Sequence, residues 1–183
     1  KPENVQVLEE KVVFYDDFSD TNKVWKTGRD EFVMRSIKKG YYVLENTHDY
    51  TAAFTGISIN LTDTDFFIIE SSIKKIAGKG ECSYGISWGN NPDTDSSYFL
   101  LLYEDYILHG KQEKGKWSNL INWKSYPFIN KDNSANKIAV KKQGDTLEVF
   151  INEQPVYVTK AYTFFGDTIG FILFGNIMVK ADY

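Results

Sequence analysis

From Asn136 onward the chain alternates apolar and polar residues in short runs, with turn residues between them. Ile138 and Val140 precede a turn at Gly144-Asp145, and Leu147, Val149 and Ile151 then alternate with Glu148, Phe150 and Asn152. A second turn, from Asn152 to Pro155, returns the chain through Val156 and Val158. Period-two alternation bounded by Gly, Asn, Asp and Pro predicts half-buried antiparallel strands. The same pattern recurs upstream. Val12-Val13-Phe14 reads as a first strand, and residues 32–37 and 41–45 flank a hairpin turn at Lys39-Gly40. Further strands are predicted at 52–59, 65–75, 82–89, 98–103 and 106–111. In the long one, Phe67, Ile69, Ser71 and Ile73 point one way, and Phe66, Ile68, Glu70, Ser72 and Lys74 the other. Cys82, Tyr84, Ile86 and Trp88 share a face, opposite Ser83, Gly85 and Ser87. Residues 115–133 are less regular and read as a long loop or binding edge, and residues 1–11 as a polar edge segment.

No stretch shows the 3.6-residue period of a long helix. Evenly spaced strands with one apolar face must bury that face against a second layer, so two stacked antiparallel sheets follow. At 183 residues the chain fits a single domain, 1–183, without repeats or linkers. A chain of that length buries about 70% of its unfolded surface and needs no covalent staples. Cys82, the only cysteine, excludes an internal disulfide and Cys–Cys metal spacings.

Charge narrows the partners. The formal net charge is -4, and the lysines are scattered among acids without the basic stripe of a nucleic-acid binder. No apolar run approaches the roughly 20 residues of a membrane-spanning helix. No secretory leader is visible from Lys1 onward, which is compatible with a trimmed one. Asn60-Leu61-Thr62 is a glycosylation sequon.

Several residue groups invite a chemical reading. Gly85-Ile86-Ser87-Trp88-Gly89 matches the nucleophile-elbow pattern, but Asn90-Asn91-Pro92 follow it where a helix is required, so the match reads as coincidental. Asn90, Asn91, Asp93 and Asp95 crowd one loop, and oxygen-rich loops suit calcium, so Asp93 and Asp95 are candidate ligands of a structural ion. Asp16, Asp17 and Asp20 form a second such group, beside Asp182 in one arrangement. His48 and His109 have no partner at ligand spacing, which argues against zinc. Trp88, Tyr98, Tyr106, His109, Trp117 and Trp123, with Tyr103, form an aromatic group suited to sugar rings. An aromatic face packs on the apolar C–H face of a sugar, and polar edges bond its hydroxyls. Trp117 and Trp123 lie in polar sequence, which favours exposure over core packing.

Three patterns, DDFSDTNKVW near the start, DFFIIESSIKKI followed by SYGISWGN, and NKIAVKKQGDTLEVFINEQPV followed by GDTIGF, occur in order along nearly the whole chain. Together they resemble the concanavalin A-like lectin/glucanase superfamily, of the LamG type and the bacterial 3-keto-disaccharide hydrolase-like domains. The resemblance implies a jelly-roll sandwich of two curved sheets, the concave one lined for a ligand, in a secreted or surface protein, extracellular or periplasmic. It also implies that Glu70 stands on the strand where superfamily glucanases carry their carboxylates. Retaining hydrolysis needs a second carboxyl about 5–5.5 Å away. The neighbouring same-face positions hold Ser72, Lys74, Ile68 and Phe66, so a partner must come from another strand, such as Glu104 or Asp105. The expectation is therefore an all-β jelly roll that binds a carbohydrate or glycan-bearing partner without cleaving it. A glycoside-processing enzyme using Glu70, or a non-sugar interaction module, stands as the alternative.

Overall fold

The computed structural model describes residues 12–19, 24–59, 66–131 and 134–182. The sequon, Asp20 and the segment 1–11 lie outside the described residues. Fourteen strands and one short 3-10 turn are present among them. They are β1 (Gly28–Arg29), β2 (Val33–Ile37), β3 (Tyr42–Asn46), β4 (Ala52–Ser58), β5 (Phe66–Gly78), β6 (Ser83–Asn91) and β7 (Ser96–Tyr103). After these come β8 (Tyr106–Glu113), β9 (Lys116–Ser125), β10 (Ala135–Gln143), β11 (Thr146–Ile151), β12 (Gln154–Lys160), β13 (Thr168–Phe174) and β14 (Ile177–Asp182).

These strands build an eight-stranded sheet, in the order β1-β2-β3-β14-β5-β10-β11-β12, and a six-stranded sheet, in the order β4-β13-β6-β7-β8-β9. All pairings are antiparallel. The turn chemistry explains the hairpins. Lys39 and Gly40 both take positive φ (52° and 73°), as do Asn152 and Glu153 (50° and 66°). Two such residues match the twist of the strands they join. β13 lies between β4 and β6, and β14 lies between β3 and β5, so the final hairpin supplies an interior strand to each sheet.

The core forms where the inward series of the two sheets meet. Leu44, Ile73, Ile138, Val140, Val149 and Val179 come from the eight-stranded sheet, and Tyr84, Ile86, Trp88, Leu100, Ile107 and Phe171 from the six-stranded one. Trp25 closes one region of it, against Phe18, Tyr42 and Phe171 at ring separations of 5.9, 5.1 and 5.2 Å. The facing expected for β5 holds: Ile69, Ser71 and Ile73 are buried, and Ile68, Glu70 and Lys74 are not.

Two expectations are corrected. Val12-Val13-Phe14 forms no strand: both valines are exposed, and Phe14 instead meets Trp25 edge-on at 6.3 Å. The segment read as a loop contains β9, a ten-residue edge strand. Its alternation is hidden because nine of its ten residues are exposed and its pairing with β8 shifts register on both sides of His109.

Candidate functional site

The outer face of the six-stranded sheet, turned away from the other sheet, is built from the residues alternating with the core series. β4 and β13 contribute Phe54, Gly170 and Ile172, β6 contributes Ser83, Gly85 and Ser87, and β7 contributes Ser97, Phe99, Leu101 and Tyr103. β8 adds Tyr106, Leu108, Gly110 and Gln112, and β9 adds Trp117 and Asn119 opposite them. Phe99, Leu101, Leu108 and Ile172 form a second buried apolar cluster on this outer face, with Phe54 packed against it. Side chains there are buried only if something covers them. Trp117 does so, with its ring 4.4 Å from that of Phe99 and 6.5 and 6.2 Å from those of Phe54 and Phe174. Gly110 makes room beneath: a Cβ there would lie 2.5 Å from the Phe99 ring.

Three aromatics of this face reach solvent: Trp117, Tyr106 and Trp123 are 40%, 40% and 43% exposed. Trp123 meets Tyr103 edge-on at 6.2 Å, and Tyr103 pairs with Tyr106 across the β7–β8 turn. The two tryptophans stand six positions apart along the strand, a span of about 20 Å. The structure thus gathers Tyr106, Trp117 and Trp123 on one face. It places the other three candidates inside the sandwich. Trp88 and His109 are fully buried, and Tyr98 stacks on Tyr162 at 4.4 Å and Phe165 at 5.0 Å. Burial lowers the pKa of His109 to about 3, and the Tyr162 hydroxyl lies 3.0 Å from its Nε2. Desolvation likewise pushes the phenols of Tyr157 and Tyr162 up.

Ser87, the serine of the G-x-S-x-G match, is buried on this outer face and accepts a hydrogen bond from Asn90 Nδ2 at 2.8 Å. A 3-10 turn, Pro92–Thr94, follows in place of a helix. Its cap occupies one side-chain oxygen of the acidic loop, that of Asn91. Asn91 Oδ1 accepts from the N–H groups of Asp93 (3.0 Å) and Thr94 (3.3 Å), while Asp95 closes the turn with φ 49°. Asp16 and Asp17 likewise accept from the N–H groups of Phe18 and Ser19. Among the described residues no three His, Cys, Asp or Glu side chains gather to hold a metal.

Glu70 lies on the outer face of the other sheet, beside a depression of about 250 Å³ lined by Ile68, Ala139 and Phe150. Lys137 Nζ sits 2.9 Å from the Glu70 carboxylate and 3.8 Å from that of Glu153. One oxygen of each carboxylate therefore lies no more than about 7 Å from the other, a bound that overlaps the spacings of glycosidase pairs. Lys137 fills the interval between them. Glu104 and Asp105 occupy the β7–β8 turn of the six-stranded sheet, and Asp105 bonds Ser125 and Lys131 there.

Gln112 lies one residue past the strand predicted at 106–111; continued through it, the outward series Leu108, Gly110, Gln112 is the signal that identifies it.

No family model matches the chain, and no curated protein matches its sequence. Solved structures do. The carbohydrate-binding module CBM66 from Bacillus subtilis superposes with a TM-score of 0.65 at 16% identity, over 87% of this chain and 96% of that one. The laminarinase catalytic domain from Thermotoga maritima gives 0.61 at 12% identity, over 94% and 95%. The Bacillus licheniformis beta-glucanase gives 0.60 at 11% identity, over 92% and 94%. The fold is the concanavalin A-like jelly roll.

Proposed function

We propose that this protein is a non-catalytic carbohydrate-binding module that takes an oligosaccharide or glycan chain along the outer face of its six-stranded sheet. The observation that carries this reading is the set of exposed rings of Tyr106, Trp117 and Trp123 on one face. No Asp or Glu occupies any of that face's outward strand positions among the described residues. Aromatic platforms without carboxylates hold sugar rings and lack the acid and base that glycoside hydrolysis requires. A spacing of about 20 Å between the two tryptophans suits an extended chain of sugar units. The likeness to CBM66 agrees with this reading, while that to glucanases shows that the same scaffold also carries enzymes. Extracellular or periplasmic glycans are the ligands such a module would meet.

The test is a glycan array followed by calorimetry on the hits. Trp117→Ala and Trp123→Ala should each weaken binding roughly ten-fold or more, from lost ring contact and area. A wild-type protein that bound no glycan on the array would end this reading.

Glu70 and Glu153 support a second one, a glycosidase site on the opposite sheet. Release of reducing sugar by the wild-type protein, abolished in Glu70→Gln, would establish it. Lys137 stands where the scissile bond would lie, which is why the first reading is preferred.

A further inference from the structure

At one end of the six-stranded sheet's outer face, polar side chains line up across the strands beside Trp117. Ser97 on β7 pairs with Gln112 on β8, and Gln112 pairs with Trp117 on β9. On β6, Ser87 faces Phe99, and Asn90 folds back onto Ser87 through the 2.8 Å hydrogen bond. Asn90 and Gln112 are only 9% and 7% exposed, yet Asn90 Oδ1 and Gln112 Oε1 have no hydrogen-bond partner. Trp25 Nε1, Arg35 Nε, Trp88 Nε1 and Tyr157 Oη are also buried without a hydrogen-bond partner, but Asn90 and Gln112 hold the unmatched amide oxygens among the described residues, and another buried amide is fully matched. Asn136, fully buried, uses Oδ1 for the N–H of Asn130 and the amide of Asn152, and Nδ2 for Tyr84 and the Asn130 carbonyl. Two buried amide oxygens left unmatched weaken the unliganded fold, so their retention points to a partner.

The chemistry of that partner follows from the atoms. Both orphans are acceptors, and only a donor can match them. Sugar hydroxyls donate; carboxylate, sulfate and phosphate groups do not. The outward positions of β6, β7 and β8 also carry no Lys or Arg that would attract an anion. We propose that Asn90, Ser97 and Gln112 read the hydroxyls of a neutral sugar unit whose ring lies on Trp117. This inference rests on the sugar-binding reading above and names its ligand class.

The experiment is calorimetry with neutral oligosaccharides of glucose, xylose, mannose, galactose and fructose, and with oligogalacturonate and sulfated galactan fragments as anionic probes. Binding should be confined to neutral probes. Gln112→Met and Asn90→Leu should each weaken it about ten-fold, the loss expected for one or two neutral hydrogen bonds. The melting temperature of Gln112→Met should equal or exceed that of the wild type, because the change removes an unpaired polar atom, whereas a merely structural amide would lower it; Asn90→Leu also removes the donor to Ser87 Oγ and is read by affinity alone. If either variant folds poorly, Ser97→Ala decides, with weaker binding expected at an unchanged melting temperature. Wild-type affinity in all three variants, with Trp117→Ala inactive, would overturn this assignment and leave the sugar reading standing. Preference for an anionic probe would overturn the neutral class. No binding to any probe would remove the sugar reading itself, and this inference with it.

Discussion

His109 shows position deciding what a residue type does. It sits between the rings of Trp88 and Tyr157, at 5.4 and 5.5 Å, with the Tyr162 hydroxyl at its Nε2. Burial alone holds its folded pKa down at about 3. In the unfolded chain it titrates near 6.5. Between those values the unfolded chain carries a proton that the folded one refuses. The stability present above about pH 6.5 is therefore lost as pH falls, by up to about 1.4 kcal/mol per unit. Melting curves from pH 7 to pH 4 should fall more steeply for the wild type than for His109→Phe, and parallel curves would show that His109 contributes nothing to acid sensitivity. Residue-level legibility was uneven for a physical reason. The series Tyr84, Ile86, Trp88 is plain in the sequence, but Ser83, Gly85 and Ser87 opposite it are buried too. When both faces of a strand are covered, alternation separates the faces without revealing which one meets solvent. Trp117 and Trp123 were readable as exposed because charged and polar residues surround them on a strand covered on neither face.

At the scale of elements, β6 is the strand with least tolerance. Gly85 lets the β7 backbone approach so closely that a Cβ would lie 1.8 Å from the Leu100 carbonyl oxygen. Across the sheet, a Cβ on Gly170 of β13 would lie 1.9 Å from that of Thr55. Main chain cannot swing aside as a flexible side chain can. Gly170→Ala should lower the free energy of unfolding by about 1–3 kcal/mol, the usual cost of overpacking. Urea titration checks this, and an unchanged midpoint would mean that β4 and β13 are further apart than described. Strand existence was legible wherever one face was apolar and a turn residue followed, as at Lys39-Gly40 and Asn152-Glu153. It failed at β9, whose ladder depends on β8 and on two register shifts that no local pattern encodes. It failed in the other direction at Val12-Val13, where β-branched residues find no neighbouring strand.

For the whole molecule, the two-layer expectation held because a set of one-sided strands has few ways to hide its apolar sides. Which sheet carries the exposed aromatic rings was beyond the sequence, since that depends on the strand order β4-β13-β6-β7-β8-β9, an arrangement of segments distant in the chain. The layers are bound tightly to each other. Trp25 and Tyr42 both pack on Phe171, so one aromatic cluster joins the two sheets. Tryptophan fluorescence and far-ultraviolet circular dichroism should therefore report a single coincident unfolding transition. Separate midpoints would show that one sheet survives the other.

The hairpin from β13 to β14, joined at Gly175-Asn176, gives each sheet a strand from its interior. During translation, every residue up to Asp167 leaves the ribosome before either gap can close. Until then β3, β5, β4 and β6 each present an unfilled ladder to whatever is nearby, a second nascent chain included. Slow passage through the codons for residues 168–182 would prolong that interval, making this short stretch the point at which yield in a cell is won or lost to aggregation.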